Sequence, residues 1–236
     1  MSDVLATESQ SPANNPGYTL SALLKKFWRR PWHDKWQYVG FVLRGLLRRL
    51  QIDSPHLILM GRGISLDKRH GRLTSGGVCV LQPGCRIAVV GQKGQPAHLH
   101  IGEGTEIGAR TIINVARQVS IGARCSISWD CDISDTDFHQ VILLDGQKPP
   151  VAAPVIIEDD VWIGSHCLIL KGVTIGHHSV VAAGSVLHRS VPPYSLVAGN
   201  PARRIDTLGG WQRQVDPAAP PPETTEGDSH DPANSA

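Results

Sequence analysis

From Val155 to Ile205 the chain returns to an aliphatic residue at every sixth position: Ile157, Ile163, Ile169, Ile175, Val181 and Leu187. Two residues ahead of each stands a small or β-branched side chain, namely Val155, Val161, Cys167, Val173, Ser179 and Ser185. An amphipathic helix repeats about every 3.6 residues and a half-buried strand about every 2, so neither sustains this interval. Short flat strands joined by tight corners do. Each strand sends one branched side chain into a narrow core, and the smaller residue before it fills the corner. Gly164, Gly172, Gly176 and Gly184 fall near those corners, where the missing Cβ opens unusual backbone angles. The pattern specifies an all-β solenoid of hexapeptide repeats.

The rest of the 236-residue chain arranges itself around that solenoid. Residues 1–17 are polar and Pro/Asn-containing and read as a disordered lead. Residues 18–56 read as a basic amphipathic helical segment, which Pro31 splits into a helix from Ser21 to about Arg30 and a longer one after it. In the second, Trp36, Val39, Leu43, Leu46, Leu47 and Leu50 recur at helical spacing, with Arg44, Arg48 and Arg49 on the other side. Such a segment can cap the open end of the solenoid, or rest on an anionic membrane face with Trp28, Trp32 and Trp36 at the interface; the two roles are compatible. The β-helix is expected over 57–205, with an inserted loop at 134–154, and the Pro- and acid-rich residues 206–236 read as a disordered tail.

Composition excludes little. The net charge of +2 favours neither nucleic acid nor an acidic partner, although residues 25–50 carry eight Lys/Arg against one Asp. No apolar run is long enough to span a bilayer, and the polar N-terminus is unlike a signal peptide, so the expected location is the cytoplasm, with peripheral contact at the inner membrane face through residues 18–50. Cys79, Cys85, Cys125, Cys131 and Cys167 each precede an aliphatic residue by two, which is the inward corner position where cysteine acts as a compact hydrophobe. They are expected to be buried and unlinked. His98, His100, His166, His177 and His178 do not fall into a metal-ligand spacing, and no metal is expected.

Along the solenoid, Ile58 and Ile64, then Leu81 and Ile87, keep the interval across a polar Gly-rich break. Ile101, Ile107 and Ile113 follow, and the register slips by two residues through 114–118 before Ile121, Ile127 and Ile133 resume. The loop that then interrupts the repeat carries Asp135, Asp137 and His139, and a long insertion in a regular solenoid is usually functional. By alternation Trp162 and Trp129 point outward and need a covering surface.

The segments VWIG, GVTIG, AAGSV, SVPP and GNPARRI, in that order and preceded by DTDFH, resemble hexapeptide-repeat acyltransferases. The likeness is greatest to sugar O-acetyltransferases of the galactoside, maltose and capsule or exopolysaccharide type, and covers residues 100–205. It implies a left-handed parallel β-helix, a homotrimer, and acetyl-CoA bound in the cleft between subunits. It places His139 as the general base and Asp137 beside it. It also gives CoA contacts to Trp162, Gly164, Ser165, Ala183, Gly184, Arg189 and Arg203. The chemistry suits these types: a sugar hydroxyl needs a base near neutral pKa, and arginines meet phosphates with bidentate geometry. The asparagine-containing acceptor segment of the galactoside enzymes has no counterpart around Ile107–Ile121. The reading is therefore acetyl transfer to a hydroxyl of a polysaccharide or its precursor. Its rivals are an amino-sugar N-acyltransferase, a serine acetyltransferase, and a non-catalytic or carbonic-anhydrase-like metal-binding β-helix.

Overall fold

The computed structural model describes residues 32–213, together with Lys25. The expected lead and the helix from Ser21 to about Arg30 lie outside the described residues. Three sheets form the faces of a triangular parallel β-helix. Face A stacks Ile58–Met60, Cys79–Leu81, Glu106–Ile107, Ser126–Ile127, Trp162–Ile163, Val180–Val181 and Ser195–Gly199, and ends on the antiparallel strand Ala202–Thr207. Face B stacks Ser65–Arg69, Arg86–Val90, Ile112–Val115, Asp132–Ser134, Leu168–Ile169 and Val186–Leu187. Face C stacks Gly71–Ser75, Ala97–Ile101, Gln118–Ile121, Val155–Ile157 and Thr174–Ile175.

The six-residue interval becomes columns of side chains. On face A, Met60, Leu81, Ile107, Ile127, Ile163, Val181 and Val197 align in register, all nearly or fully buried. Ile87, Ile113, Ile133, Ile169 and Leu187 do the same on face B. Each such residue contributes about 1.5–3 kcal/mol through burial. The first coil differs from the sequence expectation. Ile58 pairs with Cys79, so Ile58 sits at a corner position and Met60 holds the column. Positions i and i+2 both face inward, so spacing alone could not choose between them. The polar stretch after Ile64 is no break either. It forms Ser65–Arg69 and Gly71–Ser75, with Leu73 fully buried and the charged residues outside.

The helix Trp32–Leu47 lies on the outer side of face A rather than over the open end. Leu59 and Val80 point outward there yet are buried beneath Tyr38, Phe41 and Val42. Gly45 lets the backbones meet, since a Cβ would stand 2.2 Å from the Ile58 carbonyl oxygen. The open end is closed instead by Ile52, which joins the main core, while the Asp53 amide donates to Leu73 O at 2.7 Å. At the other end, residues 206–213 are not the expected start of a disordered tail. Thr207 completes the final strand, Leu208 N donates to Tyr194 O, and the chain turns back along the solenoid. Residues 214–236 lie outside the described residues.

The corners differ in kind. Where face A meets B, and where C meets A, left-handed residues stack coil upon coil: Arg110, Asp130, His166 and Gly184 at one, Arg124, Asp160, His178 and Tyr194 at the other. The corner between B and C takes up every irregularity, including 91–96, 116–117 and 135–154. Asp135 anchors it. Its carboxylate, wholly buried, accepts the amides of Ala116, Arg117 and Gln118 at 2.7, 2.7 and 2.6 Å, so the two-residue slip is clamped by the first residue of the loop above it.

All five cysteines are buried and unlinked. The thiols of Cys85, Cys125, Cys131 and Cys167 face carbonyls one coil on, as in Cys125 to Glu158 O at 3.0 Å and Cys131 to Gly164 O at 3.1 Å, much as Thr105 donates to Gly122 O at 2.6 Å. Burial pushes the Cys79 and Cys125 thiols up to about 12 and Cys85 up to about 11. Because all five side chains are at most 1% exposed, native protein should leave the thiols unreactive toward a thiol reagent at neutral pH, and unfolding under non-reducing conditions should release five; fast labelling of the native state would contradict the corner assignment. Replacing Asp135 with Ala should cost about 3 kcal/mol or more, because buried amides lose charge-assisted partners. Denaturant titration would read it, and a loss below about 1 kcal/mol would show that the clamp is dispensable.

Candidate active site

The loop that leaves the corner between faces B and C is organised by its first residues. Thr136 Oγ1 accepts the Phe138 amide at 3.0 Å, and Phe138 takes a left-handed φ of 60°. This turn carries His139 out of the coil, where it is exposed. Thr136 and Ala152 form an antiparallel bridge, and Asp137 N donates to Val151 O at 2.9 Å, closing the neck. Among the described residues His139 has no hydrogen-bonding partner. Asp137 shapes the loop rather than touching the imidazole. Its carboxylate receives the Lys171 ammonium, which also donates to Pro150 O at 2.6 Å, so the pair staples both strands of the loop to the coil beneath. Lys171 was missed because it sits among ordinary repeat residues, and only the topology brings it under the loop. Beyond His139 the tip exposes Val141, Ile142, Leu143 and Leu144.

At the foot of the loop, on the outer side of face B, Asn114 Nδ2 donates to Ser134 Oγ at 3.0 Å, and Ser134 donates to Asp132 Oδ1 at 2.7 Å. Asn114 and Ser134 are cross-strand neighbours, so this polar row is placed by register.

The remaining expected residues divide by place. Trp162, Gly164, Ser165, Ala183 and Gly184 lie together on two adjacent coils at face A and its corner with B. Trp162 points outward as expected and is 41% exposed. Gly164 is required by packing, because a Cβ there would stand 2.6 Å from Ala183 N. Gly184 N donates to Ser165 O at 2.8 Å. Arg189 is exposed at the far corner of the last coil. Arg203 is exposed on the terminal strand, its guanidinium donating to the neighbouring Ala202 carbonyl at 3.0 Å. The histidine and the Trp162 cluster thus occupy different corners of one chain, with face B between them.

Trp162 has a cover that the sequence did not reveal. Trp211 lies 5.9 Å from it, tilted by 42°, and donates its indole N–H to Asp160 O at 2.5 Å. Arg213 continues the strap, donating to Cys125 O and Arg124 O at 3.1 and 3.2 Å and lying 3.6 Å from the Glu106 carboxylate. Beside it on face A opens a groove of about 470 Å³, where Trp129, Ser126, Ser128 and Gln82 face solvent.

His177 and His178 serve structure. His177 binds Glu158 through its amide at 2.8 Å and its ring Nδ1 at 2.9 Å, which holds that carboxyl below the usual range. His178 stacks on Tyr194 with centroids 5.0 Å apart, so the pair is half-buried rather than solvent-facing. Among the described residues no three His, Cys, Asp or Glu side chains group as metal ligands.

Residues 154–189 match the family described as bacterial transferase hexapeptide (six repeats). Over 61 residues the chain is 51% identical to a 2,3,4,5-tetrahydropyridine-2,6-dicarboxylate N-acetyltransferase of Brevibacillus brevis, covering 26% of each chain. Over 58 residues it is 52% identical to the Staphylococcus aureus protein of that name, covering 25% of this chain and 24% of the relative. The chain therefore spans about a quarter of the length of these relatives. Among solved structures, AntD, an N-acyltransferase from Bacillus cereus in complex with dTDP-4-amino-4,6-dideoxyglucose and coenzyme A, superposes with a TM-score of 0.56 at 20% identity. That match covers 70% of this chain and 88% of AntD. At that identity the likeness is one of fold. With its columns of inward aliphatics and its matched repeat segment, the chain folds as a left-handed parallel β-helix of hexapeptide repeats.

Proposed function

We propose that this protein is an acyltransferase that moves an acetyl group from acetyl-CoA to a hydroxyl of a sugar acceptor, with His139 as general base. One observation carries the reading. The loop is tied down at Asp135, Thr136 and the Asp137–Lys171 pair, while His139 is exposed and unpartnered among the described residues. A histidine presented in this way is free to take a proton from an acceptor hydroxyl. His139 would remove the acceptor proton as the oxygen attacks the thioester carbon. The carbon–sulfur bond then breaks and CoA leaves as the thiol, with no acyl-enzyme. Asp137 acts as a positioning residue through the neck of the loop.

Trp162, Ser165, Ala183 and Gly184 offer one wall for the pantetheine chain, with Gly164 keeping the coils close beneath it. Arg189 and Arg203 would meet the phosphates. Because one chain holds that wall and His139 on different corners, we read the site as completed by a neighbouring copy in a homotrimer. The exposed apolar tip Val141–Leu144 supports a loop that reaches across such a contact. A second reading has specific support: the matched relatives and AntD are named as N-acyl- or N-acetyltransferases, which favours an amine acceptor. A neutral amine needs less help from a base than a hydroxyl does.

His139→Ala should lower turnover on a sugar acceptor by about 10²–10⁴-fold with melting temperature and CoA affinity unchanged, since the loop lies outside the core columns. Arg203→Ala should weaken CoA binding by roughly ten- to a hundredfold while single-turnover chemistry survives, corresponding to about 1.5–3 kcal/mol for a charge-assisted contact. Near-normal turnover by His139→Ala on a hydroxyl acceptor would overturn the base assignment. Normal turnover on an amine acceptor, with hydroxyl acceptors unreacted in wild type, would favour N-acylation.

A further inference from the structure

The helix Trp32–Leu47 is apolar on two opposite sides. Tyr38, Phe41 and Val42, with Gly45 between them in the helical wheel, pack onto Leu59 and Val80 of face A. The opposite side carries Trp36, Leu43, Leu46 and Leu47, continued by Leu50 in the following 3₁₀ turn, and all five are exposed, Leu47 at 82% and Leu50 at 99%. Side chains spaced seven, four and three residues apart (36, 43, 47, 50) fall on one stripe. The stripe that the sequence offered either to the open end of the solenoid or to a membrane face therefore faces away from the solenoid.

We infer that this outer stripe docks on the surface of an anionic lipid bilayer. Charge selects that occupant. Arg44 flanks the stripe, held in place by its bond to Met60 O at 2.8 Å and by Phe41, 5.4 Å below its guanidinium. Arg48 and Arg49 follow at the C-terminal end, and residues 25–50 hold eight Lys/Arg against one Asp. An apolar strip edged by cations is the arrangement that enters an interface whose headgroups are negative. Residues 25–30, with Lys25, Lys26, Arg29 and Arg30, would add like charge if folded over it. No helix among the described residues is long and apolar enough to cross a membrane, so the contact is peripheral. It is independent of which group the protein transfers, and it would hold the solenoid beside lipid-borne acceptors.

The test is flotation of the full-length protein with phosphatidylcholine vesicles, with and without phosphatidylglycerol. Binding is expected only to the anionic vesicles and should fall by about tenfold or more in high salt, because the attraction is screened. Leu47→Asp with Leu50→Asp should reduce binding by about tenfold or more, while melting temperature and sedimentation stay as in wild type. Three results would overturn the inference. These are absence of folded wild type from the anionic vesicles' fraction, a changed oligomeric state of the double variant, which would assign the strip to a second copy, and a lower melting temperature of that variant, which would assign it to a segment of the same chain.

Discussion

Backbone held in the left-handed region at two corners is the constraint on which the structure depends. A non-glycine residue pays about 1–2 kcal/mol there, yet Arg110, Asp130 and His166 at one corner and Arg124, Asp160, His178 and Tyr194 at the other all adopt φ between 56° and 59°. Stacking offsets the cost. Each of these amides donates to a carbonyl one coil away, as in Asp130 N to Ala109 O and Asp160 N to Ala123 O, both at 2.9 Å. Side chains then meet at the spacing of adjacent strands. Arg110 grips Asp130 at 2.8 and 2.5 Å, Arg124 grips Asp160 at 2.9 and 2.6 Å, and His178 lies on Tyr194. The charged and aromatic corner residues that look like ligands in the sequence are thus engaged with one another.

With two corners committed to that ladder, the third is where length can vary. The insertions at 91–96, 116–117 and 135–154 all leave between faces B and C, so each can grow outward without disturbing the columns. Asp135 links the two later ones, and the Asp137–Lys171 pair fixes the largest to the next coil. The regular part of the solenoid thereby positions an irregular part, and the exposed histidine belongs to the latter.

Much of this was legible in the sequence, and the failures have physical reasons. The columns could be read because a six-residue return is incompatible with helix or strand, and cysteine at the small position announced its own burial. Ile58 was misplaced because i and i+2 both face inward. The sequence showed the stripe of Trp36, Leu43, Leu47 and Leu50 and left it open between solenoid and membrane, while the face that packs went unseen because it relies on Gly45, which carries no hydrophobic signal. Lys171 and Trp211 escaped because their partners, Asp137 and Trp162, are distant in sequence and meet only through coil stacking and the reversal of the chain after Thr207. The loop's importance was visible from its length and composition; the clamp beneath it was not.

In the proposed function, cofactor and chemistry occupy the corner strip at Trp162–Ser165 and Ala183–Gly184 together with the loop that bears His139. Hydrogen–deuterium exchange with and without acetyl-CoA tests it directly. Ligand should slow exchange in that strip and across residues 137–150, leaving the amides of Ala116, Arg117 and Gln118 slow in both states because Asp135 already holds them. Protection confined to face C or to the helix, with Trp162–Ser165 and the loop unchanged, would contradict it.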